Sequence, residues 1–292
     1  MGSLMAQTLS PSTFYAWPTW SPDGTKLAAS MVRASGDRTA EVSVHILEAT
    51  TGRTSAAYEN EVPALIADGV PHYFYWSPDS QSLAFIASTP QGLTLFVADS
   101  DVERQTGGQP LALDRGAPLY FSWAKDGRSL ALHSGPDVKL VQRPFDSFLT
   151  RQIASTGGFR APAFSPDGKW VAYMAVGNTG SALFVAEAAD PSNAHRISEA
   201  GIFAAFMWSP DGTRLAVAEQ SDPGAFVFEG LRVLFLDFGS TEGPKVGSEV
   251  NIAQEPLLAF YWSPDADKIA WVSVDAGERM FEWKIASSGG SE

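Results

Sequence analysis

The chain has 292 residues, 45% of them hydrophobic and 12% aromatic, enough to bury a sizeable core and too apolar for wholesale disorder. With 33 acidic against 20 basic side chains its formal charge is −13, which repels phosphate backbones and anionic lipid and argues against nucleic-acid or membrane-surface binding. It has no cysteine, which excludes disulfides, thiolate metal sites and a cysteine nucleophile.

The opening residues, Met1-Gly2-Ser3-Leu4, have neither a basic n-region nor a long apolar stretch, so no secretory leader is visible. Residues 1–6 read as a disordered end or the remnant of an expression tag. No apolar stretch approaches the roughly 18 residues that a membrane helix needs.

One phrase then recurs six times. It reads Trp20-Ser-Pro-Asp-Gly-Thr-Lys-Leu-Ala28, Trp76-Ser-Pro-Asp-Ser-Gln-Ser-Leu-Ala84 and Trp123-Ala-Lys-Asp-Gly-Arg-Ser-Leu-Ala131. It returns as Phe164-Ser-Pro-Asp-Gly-Lys-Trp-Val-Ala172, Trp208-Ser-Pro-Asp-Gly-Thr-Arg-Leu-Ala216 and Trp262-Ser-Pro-Asp-Ala-Asp-Lys-Ile-Ala270. The leading aromatics stand 41 to 56 residues apart, a period that suits a four-stranded blade. In each phrase the aromatic ends a strand, Ser-Pro-Asp-Gly turns the chain, and Leu-Ala begins the partner strand. Proline presets φ, aspartate bonds the turn backbone, and glycine accepts positive φ. Ser80 and Ala266 replace that glycine, and each is expected to cost about 1 kcal/mol if its residue is left-handed.

Taken along the chain, the second strands are expected at 27–31, 83–87, 130–133, 171–175, 215–218 and 269–273. The third are expected at 42–47, 93–98, 138–142, 182–186, 231–236 and 279–285. Weaker outer strands fall at 65–66, 111–113, 151–154, 196–198 and 250–252. Leu9 precedes Trp20 by the same interval as Ile153 precedes Phe164 and Ile197 precedes Trp208. Residues 7–10 are therefore expected as the outer strand of the sixth blade. The reading is all-β: one six-bladed propeller of four-stranded antiparallel blades over 7–286, its ring closed by the N-terminal strand, with 287–292 as a flexible tail.

The repeated Trp-Ser-Pro-Asp-Gly-x-x-Leu-Ala phrase resembles the repeats of TolB-like six-bladed propellers, a WD-repeat-like class. Similar repeats occur in the propellers of prolyl oligopeptidase relatives, in some polysaccharide lyases and in bacterial surface proteins. The resemblance implies a fold and a disposition toward protein partners or substrate gating, and it favours the periplasm or cell surface. It implies no reaction. The α/β domains that TolB and the peptidases carry beside their propellers have no counterpart in this length.

Catalytic motifs are sparse. There is no Gly-x-Ser-x-Gly elbow, Walker loop, dinucleotide fingerprint or His-Glu-x-x-His pair. The four histidines, His45, His72, His133 and His195, are read as isolated and hydrogen-bonded, so no metal or cofactor is expected. Asp23, Asp79, Asp126, Asp167, Asp211 and Asp265 are assigned to turn chemistry rather than to a ring of catalytic carboxylates. The strand-ending aromatics are assigned to the core between blades.

The candidate site lies three to five residues upstream of those aromatics, where the innermost strands begin and would crowd the mouth of a central channel. It comprises Tyr15, Trp17, His72, Tyr73, Tyr120, Arg160, Phe203 and Leu258, an aromatic rim with one arginine that could capture a peptide carboxylate. The expected function is a monomeric, non-enzymatic module docking a protein or peptide. The alternatives are a sugar-binding or lyase/hydrolase propeller with a channel active site, or the propeller fragment of a larger surface protein or peptidase.

Overall fold

A computed structural model of the chain describes residues 13–289 apart from 36–38, 61–63, 66–69, 102–108, 118, 144–148, 156–160, 178–179, 199–202, 221, 223–224, 226, 241 and 276–279. Among the described residues there is no α-helix; twenty-four strands build six antiparallel sheets. Sheet one is β1 (Thr13–Trp20), β2 (Lys26–Ala34), β3 (Thr39–Glu48) and β4 (Thr54–Glu59), with the short β5 (Ala64–Leu65) also on β3. Sheet two runs β6 (His72–Trp76), β7 (Ser82–Thr89), β8 (Gly92–Asp99), β9 (Leu111–Arg115). Sheet three is β10 (Leu119–Trp123), β11 (Ser129–Ser134), β12 (Asp137–Gln142), β13 (Leu149–Ser155). Sheet four is β14 (Ala163–Phe164), β15 (Trp170–Gly177), β16 (Gly180–Glu187), β17 (Ala194–Arg196). Sheet five is β18 (Phe203–Trp208), β19 (Arg214–Gln220), β20 (Gly230–Asp237), β21 (Lys245–Ala253). Sheet six holds β22 (Leu257–Trp262), β23 (Lys268–Asp275) and β24 (Met280–Ser287).

These are the blades that the repeat predicts, each strand pairing with the next in sequence. Two outer strands differ from the reading above. In sheet one the outer strand is β4 at Thr54–Glu59, and Leu65 contributes only the two-residue β5. Gly52, at φ 70°, closes the preceding turn by donating its N–H to the Glu48 carbonyl at 2.8 Å, and that turn sets the register of β4. In sheet four the outer strand ends at Arg196, two residues earlier than expected. Residues 7–10, expected to complete sheet six, lie outside the described residues.

The chain falls into two compact units, the first carrying sheets one and two and the second carrying sheets three to six. Within each unit the core lies between consecutive sheets. Tyr58 and Val44 of sheet one pack on Phe74, Trp76, Phe85 and Phe96 of sheet two. In the second unit Val138 and Leu140 meet Tyr173, Leu183 and Val185 meet Trp208 and Leu215, and Val233 meets Phe260 and Trp271. Because both faces of a blade are covered, the middle strands read as continuous apolar runs; Leu83–Ala87 of β7 is wholly buried.

Sheets are also joined by a repeated polar bond. The indole of Trp76 donates to the Thr19 carbonyl, that of Trp208 to Ala163, and that of Trp262 to Met207, all at 3.1 Å. Each acceptor sits one residue before the strand-ending aromatic of the preceding sheet. The Phe164 ring has no N–H to donate, and there the bond runs the other way: the Ser122 hydroxyl donates to the Pro162 carbonyl at 2.7 Å. Trp76 and Trp208 are buried, but Trp20, with no strand before β1 among the described residues, is 56% exposed.

The turn phrase folds identically in five blades. Ser21, Ser77, Ser165, Ser209 and Ser263 donate their hydroxyls to Asp23, Asp79, Asp167, Asp211 and Asp265 at 2.5–2.6 Å. Those carboxylates and Asp126 accept the N–H two residues on, as in Thr25 to Asp23 at 3.0 Å and Arg128 to Asp126 at 2.8 Å. Such bonds favour the ionised form. The Ser21 hydroxyl, with the Thr25 N–H, brings Asp23 down to about 2, and the Ser263 hydroxyl lowers Asp265. At Asp211 burial pushes upward, but bonds from Ser209, Thr213 and Arg214 outweigh it and the group lies well below the usual carboxylate range. A depressed carboxylate stabilises the fold above its unfolded value and loses that contribution as pH falls through the folded one. Urea midpoints are therefore expected to drop between pH 3.8 and about 2, the Asp23 window, and an Asp23→Asn variant should flatten that segment.

The residue after the turn aspartate is left-handed in every blade. Gly24, Gly127, Gly168 and Gly212 have φ between 68° and 75°, and Ser80 and Ala266 adopt 61° and 63° without glycine's freedom. Ala266→Gly is expected to stabilise the chain by about 1 kcal/mol in denaturant unfolding. Ser80→Gly should gain less, because the Ser80 hydroxyl accepts the Asp23 N–H at 3.2 Å.

Candidate functional site

The site is built in the first unit from the two innermost strands, β1 and β6. Among the described residues each pairs on one edge only, and each carries a bulge at the same point of the repeat. On β1 the register passes from Ala16 opposite Ser30 to Thr19 opposite Ala28, so Trp17 and Pro18 face one partner residue. On β6 it passes from His72 opposite Ile86 to Tyr75 opposite Ala84, so Tyr73 and Phe74 do the same. Such two-against-one pairing re-aims side chains. Phe74 turns into the core, while Tyr73 stands 54% exposed.

Trp17 and Tyr73 sit at the bulges with φ 55° and 53°. They stand apart from the other two left-handed non-glycine residues, Ser80 and Ala266, which are small and buried in turns. A bulky residue in this region costs about 1–3 kcal/mol and persists only where the surroundings over-determine it. Here the strain holds two large aromatic rings, 57% and 54% exposed, out toward solvent.

Beside them a cleft of about 610 Å³ is lined by Phe14, Ala16, Trp17, Val70, His72, Ser88 and Leu93. Polar bonds hold the segments beside it. The Ser30 hydroxyl, fully buried, donates to the Pro71 carbonyl at 2.6 Å. His72 Nδ1 lies 3.0 Å from the Val70 carbonyl, which requires the proton on Nδ1 and leaves Nε2 as an acceptor in the neutral ring. The same ring meets Tyr73 edge-on, centroids 4.9 Å apart. Tyr15, on β1, sets its ring at right angles to His45 at 6.3 Å; burial lowers the His45 pKa, with Glu59 opposing it. Among the described residues no charged side chain lines the cleft. It can take up apolar side chains and stack flat groups, and it can accept one hydrogen bond at His72.

Of the eight residues marked as a channel mouth, Trp17 and His72 share this cleft, Tyr73 packs on His72, and Tyr15 lies on the same strand as Trp17. Tyr120 and Leu258 belong to the second unit. Tyr120 stands on β10 with its ring 6.1 Å from His133, and Leu258 occupies a bulge on β22. Phe203 opens β18. Arg160 lies outside the described residues. The spacing argument missed Val70, Ser88 and Leu93, which reach the cleft from the loop before β6 and from the β7–β8 hairpin and carry no repeat mark. Among the described residues no cluster of three or more histidines or carboxylates could hold a metal ion, and no helix is long and apolar enough to cross a membrane.

The six sheets find their match among solved structures. A eukaryotic initiation factor superposes with a TM-score of 0.55 at 14% identity, over 97% of this chain and 77% of that one. The C-terminal WD40 domain of Sif2 gives 0.51 at 15% identity, over 92% and 72%. The fold is a six-bladed propeller. TolB from Acinetobacter baumannii is also similar, with a TM-score of 0.49 at 14% identity over 91% of this chain; the chain spans 61% of that structure's length. At these identities the likeness concerns the fold alone. No family model matches the chain, and no curated protein matches it by sequence.

Proposed function

We propose that this propeller is a non-enzymatic binding module that docks a protein or peptide at the aromatic cleft of its first unit. One observation carries the reading: Trp17 and Tyr73 are held at positive φ, exposed, at equivalent bulges beside a cleft whose described lining carries no charge. Glycine would fit those positions with less strain, which supports a role for the aromatic rings in what they present to a partner. Rigid aromatics are also the side chains that most often anchor protein interfaces. The same flat faces would stack a sugar ring, the second reading, but among the described lining residues only Trp17, His72 and Ser88 carry polar side-chain atoms, too few to bind a polyhydroxyl ligand well. Placement in the periplasm or at the cell surface belongs to this proposal and rests on the resemblance of the repeats.

The test is peptide display on the immobilised protein, with Trp17→Gly as the counter-target. Because glycine relieves the left-handed strain, this variant is expected to melt at or above the wild-type temperature while losing the selected peptides. Peptides that bind Trp17→Gly as tightly as wild type would place docking elsewhere. Glycan-array binding without any peptide enrichment would favour the sugar reading.

A further inference from the structure

We propose, building on the docking reading above, that the occupant is a basic, proline-containing segment in the polyproline II conformation. Three physical features of the cleft point to it.

The first is the failure of strand addition. β1 and β6 each end their sheets, and a free edge invites a partner strand. Both edges are broken at the site by a bulge, and on β1 Pro18 removes the N–H that a ladder would need. An extended β peptide would lose its main-chain bonds where the aromatic side chains are.

The second is donor chemistry. Tyr15, Trp17 and Tyr73 are 41–57% exposed on these two strands and present hydroxyl and indole N–H donors. A polyproline II segment has no internal hydrogen bonds, so its carbonyls are open acceptors, and its pyrrolidine rings lie flat on aromatic faces. Phe14 and the Trp17 ring supply such faces at the cleft, with Val70 and Leu93 behind them. The segment is stiff before binding and the cleft is pinned by the Ser30–Pro71 and His72–Val70 bonds, so little ordering entropy is lost.

The third is charge. Among the described residues the lining carries no charged side chain, and the chain's net charge is −13, so its overall field draws flanking arginines in and repels an acidic segment. An arginine also stacks on an exposed indole.

The experiment measures fluorescence anisotropy with labelled Pro-Pro-Arg-Pro-Pro-Arg-Pro-Pro on the whole chain. Three comparators accompany it: prolines replaced by alanine, arginines replaced by glutamate, and a neutral oligosaccharide as competitor. The proline–arginine peptide is expected to bind and to weaken as salt rises. The alanine peptide should bind about tenfold more weakly, and the glutamate peptide should not bind. Trp17→Ala should weaken binding about tenfold or more, Trp17→Phe less, and Trp283→Ala, a 69% exposed indole in the second unit, not at all. Melting curves confirm that each variant is folded. Equal binding of the alanine peptide overturns the polyproline proposal and leaves docking intact. So does silence from the proline peptides where display-selected peptides bind at Trp17. Competition by the oligosaccharide with no peptide binding overturns both.

Discussion

Phe85→Ala is expected to lower the free energy of unfolding by about 3–5 kcal/mol, roughly 10 °C in melting temperature. Phe85 is fully buried at the junction of sheets one and two. Its ring stacks on Phe96 at 5.6 Å and meets Tyr58 and Phe74 edge-on at 5.5 and 5.7 Å. Truncation leaves a cavity walled by three rings that rotamer changes cannot fill, and it also removes aromatic pair terms of about 0.5–1.5 kcal/mol each. Phe85→Leu keeps most of the volume and should cost far less. Since Phe74 is the inward partner of the Tyr73 bulge, Phe85→Ala should also loosen the cleft. Peptide affinity measured well below the melting point should fall with it. A loss of under about 1 kcal/mol would mean that this aromatic cluster does not hold the two sheets together.

Trp208→Ala should cost a similar 3–5 kcal/mol in the second unit, for a partly different reason. The side chain is 6% exposed and packs among Met174, Leu183, Leu215 and Val217. Its indole also satisfies the Ala163 carbonyl of the neighbouring sheet. Trp208→Phe separates the two contributions, keeping most of the apolar area while leaving that carbonyl without its donor, an expected loss of about 1–2 kcal/mol. The same bond recurs from Trp76 and Trp262, so Trp76→Phe should show the same increment. If Trp208→Phe is silent, the recurrent tryptophan serves by its bulk and not by its N–H.

These effects bear on why the fold was legible in the sequence. The Trp-Ser-Pro-Asp-Gly phrase contains its own mechanics: the aromatic joins sheets, the serine and aspartate lock the turn, and the glycine position is left-handed. A reader who knows turn chemistry can place every second and third strand from it. Outer strands depend on packing against one face only and are written more faintly. Thr54–Glu59 is small and polar, so the apolar Leu65-Ile66 pair drew the assignment, although the Thr-Gly turn before β4 was the better guide. The cleft was half legible. Position in the repeat marked Trp17, His72 and Tyr73, but nothing in residue type announces a bulge held by aromatics at positive φ. Glycine is the usual mark of such a conformation, and here tryptophan and tyrosine stand in its place.

The proposed docking of a peptide at the bulged aromatics of the first unit can be tested by indole NMR. With nitrogen-15 in its nine tryptophans, the chain gives indole resonances that single substitutions assign. On titration with a display-selected peptide, the Trp17 resonance should shift. Those of Trp76 and Trp208, buried donors to neighbouring backbone, should stay in place. A saturable shift of Trp283 with Trp17 unmoved would contradict the claim and put the binding face on the second unit.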